Sequence, residues 1–181
     1  MRRDGDVEAQ SLTELVRVAL PRAWRRDSEW HGEEHWRSVA ATGLELSRRL
    51  PEVDRALVIC FGLLHDTRRE NEGRDPGHGL RAAAFAGVLR DEGALPLDER
   101  RFAVLCEALG LHSDGLVSTD ATIGACWDAD RLHLPRVGID PDPLRFSTAA
   151  AHGDEPLAAA AALRVAGAPS WNELAGFAVA S

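Results

Sequence analysis

Lysine and tyrosine are absent from the 181 residues. Without lysine there is no Schiff-base nucleophile and no phosphate-binding P-loop lysine. Without tyrosine no phenol can act as acid or nucleophile. All 21 basic residues are therefore arginine, set against 29 acidic ones for a net charge of −8. That balance supplies no basic footprint for a nucleic acid polymer and no polybasic segment for anionic lipid. Long apolar runs are also missing. The longest, Ala56 to Leu64, has nine residues, whereas a membrane span needs about 20. Cysteine is sparse and odd in number (Cys60, Cys106 and Cys126), with no Cys-x-x-Cys. This argues against a disulfide framework or a thiolate zinc site and for small apolar residues in a reducing compartment. The segment Met1 to Asp6 is not followed by an apolar run, so it does not read as a signal peptide. The expectation is a soluble, cytoplasmic chain. Its 45% apolar content and its length suit one domain, residues 1–181.

Strand alternation is scarce and helical periodicity dominates. Ser11-Leu12-Thr13-Glu14 reads as a capping box opening a helix to about Leu20, before Pro21. Ser28 is a candidate cap for a second helix to about Leu50. A third is predicted from near Asp54 to about Glu70. Asp75-Pro76 reads as the start of a fourth, to about Asp91. A fifth spans Asp98 to Leu109 and a sixth Asp120 to Leu134. After the rigid Asp140-Pro141-Asp142-Pro143 comes a tail of about residues 147–181. It holds an alanine run, Ala158 to Ala162, and a last capping box, Ser170-Trp171-Asn172-Glu173. The predicted class is all-α, an irregular helical bundle.

The third helix is apolar around its whole circumference and runs straight into His65-Asp66. A carboxylate there must be paired or metal-bound, because an isolated buried charge is too costly. Periodicity nominates residues on other helices that face the same core. His35, Val39, Thr42, Leu46 and Leu50 step by 4, 3, 4 and 4. Ile123, Trp127, Asp130 and Leu134 form a second such stripe, and His78, Ala82, Phe85 and Leu89 a third. Asp128, two positions from Asp130, falls on another face. His112 sits just past the fifth helix. His31, His133 and His152 read as surface residues, and Trp24, Trp30, Trp36 and Trp127 as core or cleft wall.

The order His35, then Leu64-His65-Asp66, then Asp128-Ala129-Asp130-Arg131-Leu132 resembles the HD-domain superfamily of metal-dependent phosphohydrolases. The resemblance covers about residues 28–135. It implies a helical bundle with a metal site between its central helices. By position it implies the ligands His35, His65, Asp66 and Asp130. Some members of the superfamily hold two metals using extra histidines, and His78 and His112 resemble those, as second-metal or substrate residues. The resemblance also implies hydrolysis of a small phosphate ester, open to a nucleotide, with metal-bound hydroxide as nucleophile. Two alternatives stay open: a di-iron oxygenase on the same scaffold and a non-catalytic metal-binding regulatory domain.

Two imidazoles and two carboxylates suit Mn, Fe, Co, Ni or Mg, one ion or, with His78 and His112, two. Asp66 and Glu70 are the candidate catalytic residues. Glu70 stands four positions after the doublet aspartate, where some members of the superfamily carry a functional acid. Arg68, Arg69 and Arg81, with Arg74 beside them in sequence, are candidates for holding a substrate phosphate, for which the guanidinium fork is suited. The expected partner is a small phosphorylated molecule, with no nucleic acid polymer and no membrane. A homo-oligomer is open.

Overall fold

The computed structural model describes residues 4–179, with side chains from residue 8. Its eight α-helices are α1 (Asp4–Ala19), α2 (Glu33–Ser47), α3 (Arg55–Leu64), α4 (His78–Asp91), α5 (Glu99–Leu111), α6 (Ala121–Arg131), α7 (Asp154–Ala166) and α8 (Trp171–Val179). Short 3-10 turns join several of them, and no strand occurs among the described residues. The all-α class is what the periodicity predicted. No helix among the described residues is long and apolar enough to cross a membrane.

Three aspartates cap helices where the sequence places them. Asp54 accepts from Leu57 N at 3.0 Å, Asp98 from Arg101 N at 2.9 Å, and Asp120 from Thr122 N and Ile123 N at 2.9 and 3.0 Å. Each satisfies backbone donors that the first helical turn leaves without a partner. The box at Ser170 also forms: Ser170 N donates to Glu173 Oε2 at 2.8 Å, and Glu173 N to Ser170 Oγ at 3.4 Å.

Other boundaries differ from the sequence reading. Ser11 opens nothing, because α1 already runs from Asp4; no proline stands between them. Ser28 closes the turn before α2 by accepting from Trp30 N and His31 N at 3.2 and 3.0 Å. Helix α3 stops at Leu64 rather than Glu70. Asp75 does not cap α4; it takes the Arg81 guanidinium at 2.7 and 2.6 Å and Glu70 N at 2.8 Å. Helix α5 runs on through Gly110, and α6 ends at Arg131 before a 3-10 turn at Leu134–Val137.

The core is built on α3. All nine residues from Ala56 to Leu64 are buried, as an all-apolar circumference requires. Helices α1, α2, α4, α5, α6 and α8 pack around it, and α7 lies outside on α2. The approach of α2 to α3 is close. At Gly62 a Cβ would stand 2.7 Å from Ala40 Cβ and 2.9 Å from its Cα and N. Cys60 and Cys126 are buried and Cys106 half-buried. Burial pushes the Cys60 thiol up to about 12, in keeping with a small packing residue.

Candidate metal centre

Helix ends assemble a buried polar cluster beside this core. His35 stands in the first turn of α2. His65 is the C-cap of α3, with Asp66 next to it. His78 opens α4, His112 is the C-cap of α5, and Asp130 lies in the last turn of α6. Helix α4 can bring His78 against α5 because residue 79 is glycine: a Cβ there would meet Leu109 O at 2.5 Å.

Two groups of donors result, each with ligand atoms close enough to hold one metal ion: His35, His65 and Asp66, and Asp66, His78 and His112. Asp66 belongs to both. Its Oδ2 lies 3.9 Å from His35 Nε2 and 3.7 Å from His65 Nε2. Its Oδ1 lies 3.2 Å from His78 Nε2 and 3.8 Å from His112 Nε2. Asp130 joins the first group, with Oδ1 3.2 Å from His35 Nε2 and 3.8 Å from His65 Nε2. Neighbouring donors round one divalent ion, with bonds of about 2.0–2.2 Å, lie roughly 3–4 Å apart, so these separations fit.

Backbone carbonyls set the tautomers. His65 Nδ1 donates to Gly62 O at 3.0 Å, His112 Nδ1 to Leu109 O at 2.8 Å, and His78 Nδ1 to Asp75 O. A carbonyl only accepts, so each of these Nδ1 atoms carries a proton and each ring turns its Nε2 inward, where it can ligate once that atom is unprotonated. Metal-binding histidines are oriented in this way. Yet His78 Nε2 and His112 Nε2 stand 2.8 Å apart. Two lone pairs at that distance repel unless a proton or a cation lies between them. Asp130 Oδ1 is likewise buried without an aligned donor, an expensive condition for a carboxylate.

Electrostatics point the same way. Burial alone would raise Asp66 and Asp130. The nearby rings of His65, His112, His31 and His78 outweigh it at Asp66, and the His35 contact at Asp130, holding both well below the usual carboxylate range. Burial, reinforced by Arg136, pushes His35 well down, and burial brings His65 to about 4. Burial also opposes charge on His112, but Asp66 and Asp130 overcome it and raise that ring. Ionised Asp66 and Asp130 beside neutral His35 and His65 are the forms a divalent cation needs, while the raised His112 must give up a proton to ligate.

Several predicted residues stand elsewhere. The Glu70 side chain is 61% exposed and its carboxylate pairs with Arg81 at 3.8 Å. It does not line the cleft, because α3 has ended and helical spacing from Asp66 no longer applies. Arg68 lies over the rings of Phe85 and Trp24 at 3.6 and 4.9 Å and donates to Arg22 O. Arg81 is committed to Asp75. Of the three arginines assigned to phosphate, only Arg69 reaches the cleft. That cleft, about 580 Å³, opens on Asp66, His78, His112 and Asp130, with Arg74 also in its wall. Asp128 faces away, as expected, and accepts from Ser147 N and Thr148 N at 2.8 and 2.7 Å.

Three residues near the ligands escaped sequence reading. His31, read as surface, is buried, with Nδ1 3.1 Å from Asp66 Oδ2. It lies before α2, on the turn that Ser28 closes, so helical spacing could not find it. His133, also read as surface, is buried and its Nε2 meets Thr42 Oγ1 at 2.9 Å. Arg136, on the 3-10 turn after α6, places NH2 3.3 Å from His31 Nδ1. His152 is exposed, as expected.

The buried rings set an acid limit. His65 and His133 sit at about 4 in the fold, both driven down chiefly by burial, against 6.5 for a free imidazole. Between those values the unfolded chain binds more protons, so stability rises with pH there. His112 is raised and works oppositely, losing stability as pH climbs above 6.5. Asp66 and Asp130 are lowered and act below 3.8, outside this window. His35, also lowered, adds to the two rings, and Asp128, raised chiefly by burial, opposes them at the acid end, one group against three. The metal-free protein should therefore melt highest near pH 6.5 and lose several degrees by pH 5, at about 2–4 °C per kcal/mol. An unchanged melting temperature across that interval would mean the rings are not buried neutral.

Comparison of the chain with family models, with curated proteins and with solved structures gives no match.

Proposed function

We propose that this chain is a metal-dependent phosphohydrolase of the HD-domain type, acting on a small phosphate ester. The observation that carries the reading is the pair of facing Nε2 atoms of His78 and His112 at 2.8 Å, both turned inward by backbone carbonyls, beside a carboxylate shared with a second histidine pair. His35, His65, Asp66 and Asp130 would hold one divalent ion; Asp66, His78 and His112 would hold another. When bound, such ions acidify water and polarise a phosphoryl oxygen.

The chain's own residues supply the rest. Asp66 offers one oxygen to each group and so fixes their separation. The Gly62, Asp75 and Leu109 carbonyls hold three imidazoles in the ligating tautomer. Burial of the donors strengthens every electrostatic interaction among them. Arg69 and Arg136 bring positive charge to the cleft wall, where a phosphoryl oxygen would sit. The overall reaction is ROPO₃²⁻ + H₂O → ROH + HPO₄²⁻, with one P–O bond broken, one formed, and a proton delivered to the leaving alkoxide.

A di-iron oxygenase is a second reading, favoured by the convergence of His78 and His112 with Asp66 into a full second ligand group. The cationic cleft wall favours the hydrolase. Purification without chelator, metal analysis, and assay of an aryl phosphate with and without added Mn²⁺ test both. Metal-dependent, oxygen-independent release of phosphate is expected. Two irons per chain with oxygen-dependent turnover and no phosphate release would favour the oxygenase, and no bound metal with no metal response would overturn both.

A further inference from the structure

We propose that the substrate is a small aliphatic phosphate monoester, its phosphoryl group gripped between Arg69 and Arg136 and its organic part laid against Leu134, Val137 and Ile139. The inference rests on the phosphohydrolase reading and narrows it. Arg136 was not among the residues suggested by sequence, and Arg68 and Arg81, which were, lie outside the cleft.

Arg69 approaches Asp66 directly, and Arg136 approaches Asp130 and His31. Arg69 NH1 lies 3.5 Å from Asp66 Oδ1 and 3.4 Å from His78 Nε2. Arg136 NH1 lies 4.0 Å from Asp130 Oδ1, and its NH2 3.3 Å from His31 Nδ1. Both side chains are only 10% exposed. Neither is anchored mainly by a carboxylate. Arg69 NH2 donates to Gly73 O at 2.6 Å. Arg136 donates through Nε to Trp30 O at 2.8 Å and through NH1 to His133 O at 3.0 Å. Carbonyls fix each fork in place without neutralising it, so the charge stays available to an anion in the cleft. A preoriented guanidinium is well matched to phosphate oxygens.

Charge counting selects the ester class. Asp66, Glu72, Asp130 and Asp142 bring four negative charges to the cleft wall, and Arg69, Arg74, Arg131, Arg136 and Arg145 five positive ones. The wall is therefore positive before any metal binds, and each divalent ion adds two further positive charges to be met by substrate. A monoester dianion meets them better than a diester, which carries a single charge.

The remaining wall selects the organic part. The apolar residues facing the cavity are Leu134, Val137 and Ile139, and no Phe or Trp lines it. A nucleobase is usually held by stacking on an aromatic face, and the rings in this wall are the imidazoles of His31, His78 and His112, all engaged with Asp66. An aliphatic or polyol group needs no such surface. The cavity, about 580 Å³, is within the range of small-molecule sites.

The test uses the full chain loaded with Mn²⁺. Glycerol 2-phosphate, adenosine 5′-monophosphate and bis(4-nitrophenyl) phosphate are compared by kcat/KM, and inorganic phosphate binding is measured by calorimetry. Glycerol 2-phosphate should lead each of the others by about tenfold or more. Arg136→Gln and Arg69→Gln should each weaken phosphate binding about ten- to hundredfold, as expected for hydrogen bonds to a charged group, with Mn²⁺ content unchanged. Arg136→Lys keeps the charge without the fork; it should bind phosphate with intermediate affinity, and it serves if the glutamine variant fails to fold. Preference for the nucleotide or the diester, or phosphate binding unchanged in all three variants, would overturn the inference while leaving a phosphohydrolase. No hydrolysis and no phosphate binding by the metal-loaded wild type would remove the phosphohydrolase reading, and this inference with it.

Discussion

Asp66→Asn should empty both metal groups at once. Each carboxylate oxygen faces a different histidine pair, Oδ2 towards His35 and His65 and Oδ1 towards His78 and His112. An amide keeps the volume but offers one neutral oxygen and a donor in place of the other. Mn²⁺ content is expected to fall close to zero and phosphate-ester hydrolysis by at least about a hundredfold, since even residues behind metal ligands cost 10–100-fold when changed. The far-ultraviolet helical signal should persist, because Asp66 lies beyond the end of α3. Asp130→Asn is the informative partner. Asp130 approaches His35 and His65, so its loss should weaken one group and spare the other. Metal analysis by mass spectrometry reads both variants. Equal metal loss in the two, or full metal retention in Asp66→Asn, would refute a shared carboxylate.

Gly62→Ala should cost more stability than its single added methyl group suggests. The new Cβ would stand 2.7 Å from Ala40 Cβ and 2.9 Å from Ala40 Cα and N. The obstacle is the backbone of α2, which cannot rotate aside as a side chain could. Overpacking of this kind costs about 1–3 kcal/mol, occasionally more, and urea unfolding would measure it. Because α2 carries His35 and α3 leads into His65 and Asp66, pushing the helices apart should also lower metal affinity. Gly176→Ala is the control: it lies in α8 with nothing within 4 Å of a built Cβ, and should be neutral or slightly stabilising, as a helical glycine replaced by alanine usually is. Matching stability of the two variants would mean that α2 and α3 do not meet at residue 62.

What could be read from the sequence follows from how local each signal is. The capping aspartates at 54, 98 and 120 act on backbone donors two or three residues away, so composition and spacing suffice to find them. The apolar run from Ala56 to Leu64 needs burial on every side and could only be central. His35, His78 and Asp130 were found because helical spacing ties each to apolar neighbours on the same face. His65 and Asp66 were found because they end the most apolar helix. Glu70 shows where the method stops. Its spacing from Asp66 points to the site only if α3 continues, and α3 ends at Leu64. His31, His133 and Arg136 were missed for the same reason, since each sits on a turn, where no period predicts direction.

The sequence by itself determined the helical class, the central helix, and the imidazole and carboxyl groups able to bind a cation. These depend on interactions within a few residues or on the cost of exposing apolar surface. Only the tertiary structure decided that Asp66 faces two histidine pairs, that Arg136 rather than Arg68 or Arg81 joins Arg69 in the cleft, and that Glu70 points to solvent. Those outcomes turn on where helices end and how closely they approach, and contacts between distant segments set both.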